Sequence, residues 1–393
     1  MTTSNEAHAQ APPWRDGKRS LWLLGLLVPT LPFMAWGLVE ATGQGVFWWF
    51  GPFFAFLLLP LLDLVVGTDR ASPPGDAVPL LEQDRYYRWC TYLYLPLQYF
   101  SLGFACWLWT HGNLSDSAKL GLAVTLGVVS GIAINTAHEL GHKKDALERW
   151  LSKIALAQTG YGHFYLEHNR GHHVRVATPE DPASSRLVES FWAFWPRTVV
   201  GSLRSAWELE TAKWAREGRS RWSVRNDVLN AWAMTVALWA TLLAVFGLGV
   251  LPYMLVQAVF GFSLLEVVNY LEHYGLLRQK VGERYERTAP RHSWNSNNTA
   301  SNVLLYHLQR HSDHHANPTR RYQVLRHIDE APQLPSGYGT MIVLAYCTPL
   351  WRRVMDKRVL AHYGGDVTLA NIQPSKRAAY LARYATTSEE IAA

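Results

Sequence analysis

The chain has 393 residues, 49% of them hydrophobic, and a formal net charge of +6. Its three cysteines, Cys90, Cys106 and Cys347, form no C-x-x-C pair, which argues against a disulfide framework, a cysteine-bound zinc and a rubredoxin-type or iron–sulfur centre within the chain. Mean hydropathy is near zero, but that average hides a segregation of apolar and charged stretches.

Residues 1–19 form a tail with Arg15, Lys18 and Arg19 near its end. Residues 20–39, 41–62, 89–110 and 120–137 carry no charge, and 228–265 is an uncharged run long enough for two helices, broken at Gly247-Leu248-Gly249-Val250-Leu251-Pro252. One membrane span needs roughly 20 residues at about 1.5 Å each. The pattern predicts an all-α integral membrane protein with six transmembrane helices, four within 20–137 and two within 227–273. The first run is too long for a signal peptide and lacks the small-residue cleavage site. The segments 138–226 and 274–393 then lie on one side as a histidine-rich catalytic cap. Arg70, Arg85 and Arg88, then Lys143, Lys144 and Arg149, fall in loops on that side, whereas the loops after the first and fifth spans have no Lys or Arg. The positive-inside rule therefore makes the cap and both termini cytoplasmic. The net charge reflects this bias and does not point to nucleic acid. The apolar run 340–350 is too short to span and is expected to pack in the cap or lie at the interface. The tail 386–393 is polar.

Nine of the sixteen histidines fall into four boxes at or just beyond the cytoplasmic ends of spans: His138 and His142; His168, His172 and His173; His273; and His311, His314 and His315. The first box, His138-Glu139-Leu140-Gly141-His142, fits the H-E-x-x-H pattern of zinc peptidases, in which Glu139 would be the general base. The other boxes argue against that reading. His138/His142, His168/His172 and His311/His315 are i,i+4 pairs, each able to clamp one ion from one helix face. His172-His173 and His314-His315 are neighbours about 100° apart around a helix, so each doublet is expected to straddle two ions. A zinc hydrolase needs three protein ligands. Nine imidazoles fit two ions at four or five ligands each, and open positions inside an apolar bundle favour dioxygen chemistry at iron, which zinc does not offer. A transporter would place ionisable ligands at mid-membrane, whereas these lie at one end. Glu139, Glu167, Glu272 and Asp313 flank ligands. Each points elsewhere on its helix and is expected to hold the N–H of a histidine from another box. Asn269, Asn135 and Thr136 sit at the inner ends of spans. His163 and His307, close to the second and fourth boxes, are further candidates, although nine histidines already fill two sites.

With these boxes, "LEQDRYYRW" (81–89), "AHELGHK" (137–143), "EHNRGHHVRVATPEDPASSR" (167–186), "NYLEHYGLLR" (269–278) and "LQRHSDHHANPTRRYQVL" (308–325), the chain resembles the membrane-bound alkane 1-monooxygenases of bacterial inner membranes. The resemblance covers nearly everything after residue 20. It implies a multi-pass inner-membrane enzyme of the desaturase-like superfamily. Two non-haem iron ions held by the nine histidines would use O2 to hydroxylate medium-chain n-alkanes to 1-alkanols. Electrons would come from rubredoxin and, behind it, an NAD(P)H-dependent rubredoxin reductase. A xylene-type side-chain monooxygenase and a fatty-acyl desaturase or hydroxylase are the neighbouring alternatives, and the zinc peptidase is the alternative of another class. Trp48, Trp49, Phe53, Phe54 and Phe262 are expected to wall a substrate channel. Lys143, Lys144, Arg170, Arg175, Arg320, Arg321 and Arg326, in or beside the boxes, are expected to form a basic surface for an acidic electron donor.

Overall fold

The computed structural model describes residues 14–382 and residue 384; most of the 1–19 tail, with His8, and the polar tail 386–393 lie outside the described residues. The helices that matter here are α1 (Arg19–Thr42), α2 (Gly45–Val66), α3 (Tyr94–His111), α4 (Asp116–Gly141), α5 (Ala146–Ala157), α6 (Phe191–Arg216), α7 (Asp227–Phe246), α8 (Leu251–Glu272), α9 (His311–Ala316), α10 (Tyr338–Tyr346) and α11 (Thr348–His362). A two-stranded antiparallel hairpin pairs Lys280–Val281 with Arg284–Tyr285.

Five of these helices, α1, α2, α4, α7 and the one ending at Glu272, are long and apolar enough to cross a bilayer. The uncharged run 228–265 is broken where the sequence breaks it: Gly247 takes φ 79° and a short 3₁₀ turn, Leu248–Val250, leads into α8. The run 89–110 behaves differently. It divides into a helix over Arg85–Tyr92 and the 18-residue α3. Pro96 has no N–H to give the Tyr92 carbonyl, so the ladder is interrupted there. The apolar run 340–350 forms α10 and the start of α11, with a break at Cys347, and α10 packs against α8.

The hub of the bundle is α4. Its apolar window is 83% buried inside the protein, against 11% for α7. At 1.5 Å per residue its 26 residues reach about 39 Å, longer than the roughly 30 Å of a hydrocarbon core, and its last turns are buried in the protein. Those turns carry His138 and His142. Helix α8 runs beside it at close range because small residues face each other. A Cβ on Gly127 would meet Phe260 at 2.9 Å, and one on Gly131 would meet Leu264 at 2.9 Å and the Gly261 carbonyl at 3.0 Å. This small-xxx-small spacing permits close helix approach where water supplies no driving force. It sets Glu272 and His273 beside the end of α4.

Two long-range ties seat the last histidine box. The Asn135 side chain donates to the Leu305 carbonyl at 2.8 Å. Asp63 of α2 accepts from the backbone N–H and hydroxyl of Ser301 at 2.9 and 2.6 Å.

Filling the α4–α8 seam should therefore cost stability. Gly131→Leu is expected to lower the melting temperature of the detergent-solubilised protein by an amount equivalent to about 1–3 kcal/mol. Gly37→Ala, whose Cβ meets nothing within 4 Å, should leave it unchanged or raise it.

Candidate metal centre

The nine histidines converge as two groups. His138, His142, His168, His173 and His314 form one, and His172, His273, His311 and His315 form the other, the ligand nitrogens in each group lying within 4.8 Å of one another. Both doublets straddle the groups, as their helical phase requires. Within the first group the Nε2 atoms of His138 and His314, His168 and His173, and His173 and His314 are 3.0, 3.0 and 3.1 Å apart. In the second, His273–His311 and His311–His315 are 3.1 and 2.9 Å apart. Two ligands at right angles, each about 2.1 Å from an ion, lie about 3.0 Å apart, whereas a tetrahedral pair lies about 3.4 Å apart. The spacing therefore suits ions of higher coordination than structural zinc. Burial, and after it the repulsion of neighbouring imidazoles, holds His173, His314 and His315 well below the ordinary imidazole range. Neutral rings are what metal binding needs. The Nε2 atoms of His142 and His172 are buried without a hydrogen-bond partner. The donor set fits two metal ions.

One expected pairing is corrected. His168 and His172 do not share an ion, because residues 168–172 form a π-helical turn. The His173 N–H reaches the His168 carbonyl five residues back, and the wider turn brings His173, not His172, onto the face of His168. His172 is thereby released to the second group. A Cβ on Gly171 would meet the ends of the Glu167 and Arg175 side chains, the Arg175 guanidinium at 2.6 Å.

The flanking carboxylates also divide. Glu272 lies 3.3 Å from His311 Nδ1 and accepts the Tyr338 hydroxyl at 2.9 Å. The other three are paired away from the imidazoles. Glu139 meets Lys143 at 3.0 Å and the Tyr322 N–H at 3.3 Å, Glu167 meets Arg175 and Ser205 at 3.0 and 3.2 Å, and Asp313 takes both bonds of Arg320 at 2.7 and 3.0 Å. With Glu139 engaged by Lys143 and its two histidines sharing a site with three more, the peptidase reading fails. Asn269 donates to Glu266 at 3.2 Å. The sequence reading missed Asp181, which bonds His172 Nδ1 at 2.9 Å while accepting from Ser184 at 2.6 Å. Burial pushes His172 down, but this carboxylate outweighs it and raises the ring above its usual range. The His292 carbonyl lies 3.1 Å from His273 Nδ1 and fixes its tautomer. His307 stays outside both groups: at φ 55° its ring turns to the Tyr322 carbonyl and Lys18. His163 packs against Tyr161, also apart.

The fatty acid desaturase family matches residues 117–345. Alkane 1-monooxygenase of Acinetobacter baylyi is 47% identical over 96% of this chain and 93% of its own length. The chain belongs to the alkane 1-monooxygenase family. Alkane 1-monooxygenase of Ectopseudomonas oleovorans is 46% identical over 96% of this chain and 94% of its own. The xylene/toluene monooxygenase hydroxylase component of Pseudomonas putida is 26% identical over 68% and 72%.

In this alkane 1-monooxygenase family member an apolar cavity of about 70 Å³ lies against both histidine groups. His138, His168 and His311 floor it, with Asn135, Asn269 and Glu272, and Phe56, Val128, Ile132, Leu264, Leu265 and Ile342 wall it. The five aromatics expected to form a channel lie elsewhere. Trp48 lines a separate opening with Trp36 and Trp107, and Trp49 packs over Gly121. Phe53 is 50% exposed. Phe54 is buried in the core, and Phe262 stacks on Tyr161 and Trp195. Which aromatics face inward depends on the rotation of each helix, which hydrophobicity alone does not encode. The expected basic surface is largely spent inside the protein. Lys143 is buried, Arg320 holds Asp313, Arg321 holds Glu148 at 2.8 and 3.1 Å, Arg175 holds Glu167, and Arg326 donates to the Pro73 carbonyl. Lys144 and Arg170 are exposed.

Asp181→Asn should weaken metal binding in the four-histidine group about 10–100-fold while sparing the five-histidine group. Iron titration of the metal-free protein, resolved into two binding phases, reads this directly.

Proposed function

We propose that this protein is a rubredoxin-dependent alkane 1-monooxygenase. It converts a terminal methyl of a medium-chain n-alkane to a primary alcohol, consuming O2, two electrons and two protons and releasing water. The observation that carries this reading is the apolar cavity that meets both histidine groups at its floor. Two non-haem irons, when bound there, supply the reduction of O2 and the oxidising power needed to break an unactivated C–H bond. The nine histidines hold the metals, with Asp181 and the His292 carbonyl orienting His172 and His273 and with Glu272 lying beside His311. From Val128 to His138 the cavity wall runs ten residues along α4, about 15 Å, the length of a medium alkyl chain. Val128, Ile132, Leu264 and Leu265 hold that chain end-on and exclude water from the reacting methyl.

The lining favours an alkane over a fatty acyl substrate, since among the described residues it contains no Lys or Arg to receive a carboxylate or phosphate head. In the membrane arrangement we infer, α3 is a sixth span beside the five long helices, and the histidine ends of α4 and α8 face the cytoplasm of a bacterial inner membrane, as do both termini. The divisions are 1–19, 20–137, 138–226, 227–273 and 274–393. Three scattered cysteines leave no place for a rubredoxin-type iron within these 393 residues, so electrons come from a rubredoxin outside them and its NAD(P)H-dependent reductase. Of the basic residues beside the boxes, Lys144 is exposed and free to meet that donor, while Arg170, also exposed, holds Glu210 at 3.3 Å.

Purified protein given n-octane, O2, rubredoxin and its reductase should yield 1-octanol. An alkene product, or turnover only with acyl substrates, would reject the reading. Val128→Phe shortens the cavity and should cost about tenfold or more in kcat/KM for n-decane relative to n-hexane.

A further inference from the structure

A second apolar space lies outside the cavity. It is a groove lined by Phe191, Trp192 and Trp195 of α6, by Val256, Val259 and Phe260 of α8, and by Tyr346 of α10. It lies along α8, one of the five helices fit to cross a bilayer. Its rim is bare: Trp192, Leu255 and Val259 are 63, 48 and 45% exposed. Its polar atoms are tied down, Trp192 Nε1 donating to the Tyr346 carbonyl at 3.1 Å and Trp195 Nε1 to Ser263 at 2.9 Å.

The groove and the cavity share two helices and one partition. On α8, Phe260 lines the groove and Leu264, one turn on, lines the cavity; on α10, Tyr346 lines the groove and Ile342, one turn back, lines the cavity. Between them stands Phe56, a cavity residue whose ring lies 6.3 Å from Phe260 and 6.3 Å from Tyr346. None of the three rings is fully buried. Phe56 sits in a π-helical turn, Phe54–Leu58. Pro60 cannot donate to the Phe56 carbonyl, and the Leu59 N–H reaches back five residues to Phe54. This turn supplies Ala55 and Phe56 to the cavity wall. Wide turns of this kind recur at functional sites because they break the helix's regular register.

We propose that the groove is the entrance through which the alkane leaves the lipid phase, and that Phe56, Phe260 and Tyr346 form the door between bilayer and cavity. The occupant is a hydrocarbon chain: the groove is apolar, opens on the exposed flank of a helix fit to cross a bilayer, and abuts the cavity above the histidines. The rings swing on side-chain torsions, so a flat, flexible chain passes without movement of the helices. This inference rests on the alkane reading above.

The test uses iron-loaded protein in phospholipid vesicles with n-octane, rubredoxin and its reductase. Val256→Trp and Val259→Trp fill the groove without touching the cavity wall. Each should lower kcat/KM roughly tenfold while kcat at saturating octane and iron content stay near wild type, the pattern of hindered access rather than damaged chemistry. Phe260→Ala, which props the door open, should raise kcat/KM for n-dodecane. Val245→Trp, on the exposed face of α7, is the control for a membrane-facing tryptophan and should do neither. Wild-type kcat/KM in both groove-filled variants overturns the door while leaving the alkane reading standing. So does a phospholipid tail that stays in the groove during turnover. Absence of 1-octanol from wild type removes the alkane reading and the door with it.

Discussion

Everything else in this protein serves one electrostatic requirement. Uncharged imidazole nitrogens are aimed at each other inside an apolar bundle, with Nε2 atoms of neighbouring rings as close as 2.9 Å. Where the other ring nitrogen already donates, as His273 Nδ1 does to the His292 carbonyl, Nε2 presents a lone pair that is costly to leave unmet in a low-dielectric interior. Burial holds His173, His314 and His315 well below the ordinary imidazole range, so a proton does not meet the lone pair there, and Nε2 of His142 and His172 finds no protein donor. Two metal ions satisfy the arrangement, and the surrounding architecture holds nine side chains in place for them.

That architecture works by bringing four separate chain segments to one point. The long central helix α4 carries the first box on its last turns. Glycines 127, 131 and 261 let α8 run close enough to add His273. Asn135 and Asp63 tie down the loop that leads to the last box. The π-helical turn at 168–172 then distributes the second box between the two sites. The same device, a helix widened by one residue, appears at 54–58, where it delivers an aromatic ring to the substrate side. Helix irregularities therefore shape both the metal side and the hydrocarbon side of the cavity.

The legible part of the sequence was the part carried by local periodicity. Uncharged runs marked the long helices, and the doublets His172-His173 and His314-His315 foretold two sites because neighbouring helical residues point about 100° apart. What failed depended on partners remote in sequence or on helix phase. The His168/His172 pairing assumed regular α-geometry and missed the wide turn at 168–172. Asp181 lies nine residues beyond His172, in a loop, and carries no spacing signal. Arg321 looked like surface charge until the fold brought Glu148, 173 positions away, into a two-bonded pair with it. Trp48 and Phe53 lie on α2, the helix that supplies Phe56, but do not line the cavity against the histidines.

The most direct test of the central claim is a metal count on protein purified from iron-replete cells without added chelator, by elemental mass spectrometry against quantified chain. Two iron ions per chain are expected, one for each histidine group. A single tightly held zinc per chain, or a protein that is folded and active with no more than one metal, would contradict the account.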